Sequence, residues 1–136
     1  MSAPQPPGLA PGPPILVADS SADMRLYIEG CLHALGPVRV VQAADGRAAL
    51  HVAHAVQPAL VIAEHLLLGP SGRVFCRALD ADPRTRGIPV LIIGDEAPSP
   101  PAMGDGFLAK PFNATRLRGE VERLLGRPLA PQRLLP

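Results

Sequence analysis

Tryptophan is absent from this 136-residue chain, and one tyrosine and three phenylalanines are its only aromatic residues with large rings. So few rings leave little on which unpaired bases could stack. The formal net charge is +1 and the basic residues are scattered, so there is no electrostatic footprint for nucleic acid. No run approaches the ~18 apolar residues of a membrane span. The N-terminus also lacks a basic stretch followed by an apolar segment. These absences predict a cytoplasmic protein that contacts neither nucleic acid nor membrane. Two cysteines, Cys31 and Cys76, are too few for a disulfide framework, and each falls on the apolar face of a helical pattern as a small core residue. Lysine is nearly missing: Lys110 stands alone against twelve arginines.

Proline, by contrast, is abundant, and its placement divides the chain. Residues 1–14 hold six prolines with no charge and no periodicity, which predicts a disordered or polyproline-like tail. Residues 127–136 repeat that character with three more. Residues 15–126 then form one domain, long enough to bury roughly two thirds of its unfolded surface without a metal or disulfide.

Within that domain short apolar runs alternate with helical patterns, the signature of an α/β fold with a parallel sheet. Strands are predicted over Ile15 to Ala18, Val38 to Gln42, Ala59 to Ala63, Ile88 to Ile93 and Gly106 to Ala109. Their near-continuous apolarity suits strands covered on both faces. A first helix follows Ser20 or Ser21 as N-cap, turns Met24, Ile28, Cys31, Leu32 and Leu35 to one face, and stops at Gly36-Pro37. A second starts at Asp45, and a third near Ser71 with Phe75 and Leu79 inward. The last begins at Asn113, sets Leu117, Val121 and Leu124 on one stripe, and ends at Gly126. Right-handed crossovers place the first and last helices on one face of the sheet and the other two opposite.

The connection between the fourth and fifth strands is anomalous. Pro98, Pro100 and Pro101 each oppose helix propagation by about 3 kcal/mol, so a full helix there is not expected. His51 and His54 share a helix edge without a third ligand and read as a solvated face. Strand alternation points His65 away from its neighbour Glu64. Among Leu66, Leu67 and Leu68, at least one is expected on the surface as a possible contact.

Several short pieces in order resemble the response-regulator receiver family: Ile15-Leu16-Val17-Ala18-Asp19-Ser20 with Met24-Arg25, Ala44-Asp45-Gly46, Leu60 to Glu64 with Gly72 beyond, Asp82-Pro83, Ile88-Pro89-Val90 and Lys110-Pro111-Phe112. The resemblance implies a flavodoxin-like, doubly wound five-stranded parallel sheet of order 2-1-3-4-5, here with a truncated fourth helix, and a pocket at the carboxyl ends of the strands. It also implies a cis peptide at Lys110-Pro111.

Matched to the family pattern, the pocket has lost most of its chemistry. Two adjacent acids normally hold Mg²⁺, and this chain has Asp19 followed by Ser20, leaving Asp19 the only retained metal-ligand type of the pair. Glu64 replaces the phosphoaccepting aspartate and is longer by one bond, roughly 1.5 Å. Gly94 replaces the hydroxyl residue that contacts the phosphoryl group, and Phe107 occupies the aromatic switch position without a hydroxyl. Lys110, followed by Pro111, keeps its identity and is expected to pair with Glu64 or Asp19. Asp19, Glu64 and Lys110 together leave about −1, against about −2 in the usual site, so Mg²⁺ binding is expected to be weak or absent.

The reading that follows is a two-component signalling module that works through protein contacts without conventional aspartate phosphorylation. It carries no catalytic residue and no resident cofactor. A histidine kinase or a downstream signalling protein is the partner class the resemblance implies. Two alternatives stay open at this stage: a flavodoxin-like protein binding a phosphate-bearing cofactor, and a receiver phosphorylated at an atypical residue.

Overall fold

The computed structural model describes residues 12–68, 73–95 and 104–126. In chain order the elements are β1 (Ile15–Ala18), α1 (Ala22–Leu35), β2 (Val40–Ala43), α2 (Gly46–Val56), β3 (Leu60–Glu64), a 3₁₀ turn (His65–Leu68), α3 (Arg73–Asp80), β4 (Val90–Gly94), β5 (Gly106–Ala109) and α4 (Ala114–Leu125). All strand pairs are parallel and the sheet runs β2-β1-β3-β4-β5. This is the flavodoxin-like order, and its centre lies where β1 meets β3 and the winding reverses.

Alternation along the buried strands feeds two cores. On one face Ile15, Val17, Ile62, Leu91 and Ile93 pack against Ile28, Cys31 and Leu32 of α1 and Leu117 and Val121 of α4. On the other, Leu16, Ala18, Val61, Ala63 and Ile92 pack against Ala49 and Ala53 of α2 and Phe75 and Leu79 of α3. The helices therefore divide as the crossover rule requires. Cys31 belongs to the first core and Cys76 packs beside the second, and the two are not joined in a disulfide.

Helix ends follow their local chemistry. Ser21, Asp45 and Asn113 are N-caps whose side chains accept from the amides of Met24, Ala48 and Arg116. Gly126 closes α4 in the left-handed region at φ 73°, where its N–H reaches the Glu122 carbonyl. At the end of α2 the same task falls to Gln57, a non-glycine residue at φ 49°.

The strand limits differ modestly from the sequence expectation. β2 begins at Val40 rather than Val38, because Ile15 takes up the Arg39 carbonyl and the ladder starts from there. β4 begins at Val90, since Pro89 has no N–H to give, although its carbonyl accepts from Val61. Pro14, assigned by composition to the tail, is buried and its carbonyl accepts from Ala59. Residues 1–11 and 127–136 of the two tails and most of the β4–β5 connection, including the shortened helix expected there, lie outside the described residues.

Candidate functional site

Four adjacent strand ends carry the residues singled out in the sequence. Asp19 follows β1, Glu64 closes β3, Gly94 closes β4 and Lys110 follows β5. The parallel register aligns them: Ala18 pairs with Ala63, Glu64 with Ile93, and Gly94 with Ala109. The Lys110 amide donates to the Gly94 carbonyl at 2.8 Å, and the Lys110-Pro111 peptide is cis.

Asp19 is buried, with 3% of its surface exposed. Its Oδ1 accepts from the Ser21 amide at 2.8 Å, while Oδ2 is buried without a hydrogen-bond partner. The neighbouring Ser20 is exposed. The Asp19 carbonyl accepts from Arg25 Nη1 at 2.7 Å, and Arg25 Nε also donates to Gln42 Oε1 at 2.9 Å. Gln42 in turn donates to Glu29, so a polar chain ties the mouth of β1 to α1 and the β2 edge.

Glu64 does not reach across the pocket. Its Oε2 accepts from the Leu67 amide at 2.9 Å, capping the 3₁₀ turn that begins at the next residue. That turn presses on α2: a Cβ built on Gly46 would sit 3.0 Å from the Leu67 carbonyl. Leu66 is left 74% exposed, as the sequence anticipated for one of the three leucines.

The expected pairing of Lys110 is not found. Among the described residues no ion pair within 4.0 Å joins it to Asp19 or Glu64. The physical reason is that Glu64 turns back onto its own loop, and Lys110 instead lines a separate cavity of about 400 Å³ with Met24, Tyr27, Asp95, Pro111 and Phe112. Phe107 is partly buried against the second core. His51 is exposed, and His54 lies 3.7 Å from Asp82.

Tyr27 and Asp95, in the wall of that cavity, were not among the residues singled out in the sequence. Tyr27 donates its hydroxyl to the Phe112 carbonyl at 2.9 Å, and the two rings lie 5.6 Å apart. Burial and the adjacent Cys31 thiol push the Tyr27 phenol above its ordinary value. The signal available was Tyr27 itself, three residues after Met24, one residue before the inward Ile28 and one helical turn before Cys31.

Comparison with known proteins now decides the family. The chain is 30% identical over 119 residues to the chemotaxis protein CheY of Pseudomonas aeruginosa, covering 83% of this chain and 96% of that protein. This chain belongs to the response-regulator receiver family. The receiver also matches CheY-3 of Vibrio cholerae at 27% identity over 119 residues, with 83% of this chain and 92% of that protein covered. In the response regulator PleD of Caulobacter vibrioides it is 33% identical over 116 residues, 81% of this chain but only 25% of that protein. Among solved structures, the receiver domain of sensor histidine kinase PA1611 from Pseudomonas aeruginosa, with a magnesium ion coordinated in its active-site cleft, superposes with a TM-score of 0.75 at 25% identity. That superposition covers 85% of this chain and 98% of the other. No family model matches the chain.

The donor set of this receiver does not fit such a magnesium ion. Asp19 offers one open oxygen, but Ser20 brings no carboxylate and Glu64 has an oxygen committed to the Leu67 amide. Among the described residues no group of three or more His, Cys, Asp or Glu side chains could hold a metal ion. A hard divalent cation needs several oxygen ligands and keeps the rest of its shell as water.

Proposed function

We propose that this receiver transmits signals in a two-component system through protein contacts, without phosphorylation at the aspartate-equivalent position. Glu64 carries the reading. The side chain that stands in the phosphoacceptor position is engaged as the cap of the β3 turn, hydrogen-bonded to Leu67. Attack on a phosphodonor would require it to leave that bond, turn toward the pocket, and proceed without the positive charge a metal supplies to the transferring group.

Neighbouring residues support the same reading. Ser20 and Gly94 withhold the second metal carboxylate and the hydroxyl, and Lys110 is directed to another cavity. Mg²⁺ binding is accordingly weak or absent, and the domain performs no enzymatic step of its own. Its partners are proteins: a histidine kinase, or a downstream component that reads the surface around the strand ends. Glu64 is not a stand-in for a phosphoryl group, because one carboxylate carries less than the roughly −1.5 to −2 of that group and one of its two oxygens is already held by the Leu67 amide. Titration calorimetry with Mg²⁺ tests the reading. No saturable heat at millimolar concentration is expected, and a site saturating in the micromolar range would overturn it.

A further inference from the structure

Beyond Lys110 and Pro111, the cavity beside the strand ends is lined by residues that the phosphoryl chemistry of the site does not use. Neither Asp19 nor Glu64 lines it. At about 400 Å³ it falls in the range of small-molecule sites. Its wall is apolar and built in advance: Phe112 is buried, and Tyr27 is held against it by the ring contact and by the hydrogen bond that consumes its hydroxyl. Met24, on the first turn of α1, completes that side.

Two opposite charges flank the same space. Gly94 pairs with Ala109, so Asp95 and Lys110 each follow directly on the last paired residues of neighbouring strands. Such neighbours would ordinarily form an ion pair. Here none forms within 4.0 Å, either between them or with another described residue, and both line the cavity. An unpaired cation, an unpaired carboxylate and an aromatic wall are complementary to one chemical class.

We propose that this cavity binds a small zwitterion of the α-amino-acid class with an apolar side chain, its ammonium on Asp95, its carboxylate on Lys110 and its side chain against Met24, Tyr27 and Phe112. The compact ammonium of a lysine suits a single carboxylate contact at close quarters. A purely anionic ligand would meet Asp95, and a purely cationic one would meet Lys110, so each charge selects against the other's partner. Glu64 takes no part in this site, which shares only Lys110 with the strand-end residues.

The chain supplies its own probe. Tyr27 is the only tyrosine and there is no tryptophan, so intrinsic fluorescence reports this cavity alone. Titration with L-leucine or L-methionine should give a saturable change in that signal, with amide shifts at Met24 and Phe112 moving in the same titration. N-acetyl-L-leucine, which lacks the ammonium, and L-leucinamide, which lacks the carboxylate, should each bind about tenfold more weakly or worse, the scale of one charged hydrogen bond. Asp95→Asn and Lys110→Gln should weaken L-leucine similarly while leaving the circular dichroism spectrum unchanged. Absence of any saturable response overturns the proposal, as does equal binding of either single-charge analogue or shift changes confined to other parts of the domain.

Discussion

Glu64 and Leu67 are joined by a 2.9 Å hydrogen bond in which the Leu67 amide donates to the carboxylate three residues before it. Glutamine keeps an acceptor oxygen at that point and removes the charge, so the two roles can be separated. In Glu64→Ala the Leu67 amide should exchange with solvent about tenfold faster, while Glu64→Gln should stay within about twofold of the native rate. Equal acceleration in both variants, read by NMR hydrogen exchange, would show that charge and not the cap holds this turn.

Acid should loosen the α3–β4 connection through Asp82. Hydrogen bonds from the Arg84 side chain and backbone amide lower its carboxyl from 3.8 to about 2, with a further contribution from His54. A lowered folded-state value means that this stabilisation is present above the unfolded value and is lost as pH falls from about 4 to about 2. Urea midpoints measured across that window should fall more steeply for the native chain than for Asp82→Asn. Parallel curves would contradict the assignment.

The core of the first face should be sensitive to volume. Leu117 is fully buried between α4 and the sheet, whereas Leu26 on α1 is 63% exposed. Leu117→Ala should cost about 3 kcal/mol and Leu26→Ala less than about 0.5 kcal/mol, by urea unfolding. Similar losses at the two sites would mean that the packing described for α4 is wrong.

Much of this fold was legible because its signals are local. Ile15 to Ala18 and Gly106 to Ala109 are strands at the limits their apolarity predicts, and Asp45, Asn113 and Gly126 cap the helices their types suggest. The limits of β2 and β4 were less so, because ladder partners such as the Arg39 and Pro89 carbonyls are set by a distant strand. The strand-end placement of Asp19, Glu64, Gly94 and Lys110 followed from the order of the motifs. Side-chain direction did not: opposite charge suggested a Lys110–Glu64 pair, and only the turn geometry shows Glu64 facing the Leu67 amide. Thr85 was equally silent in sequence, yet it is fully buried and its hydroxyl donates to the Leu79 carbonyl at 2.7 Å, tying the loop before β4 to the end of α3.

Gln57 offers a test of backbone strain. It occupies φ 49° at the end of α2, a region that costs L-residues roughly 1–2 kcal/mol and glycine nothing. Gln57→Gly should therefore raise stability by up to about 1 kcal/mol after the greater unfolded-state freedom of glycine is deducted. A loss of stability in thermal unfolding would show that the Gln57 side chain makes a compensating contact.

Intact-mass measurement after incubation with acetyl phosphate and Mg²⁺ addresses the central claim most directly. Small phosphodonors need the metal, a lysine and a hydroxyl around the acceptor, and this chain keeps only the lysine. The native chain should show no added phosphoryl mass, and Glu64→Asp alone should show none, since Ser20 and Gly94 remain. The combined Glu64→Asp, Ser20→Asp and Gly94→Thr variant should regain Mg²⁺ binding and then phosphorylation. A stoichiometric adduct mapped to Glu64 in the native chain would contradict the account.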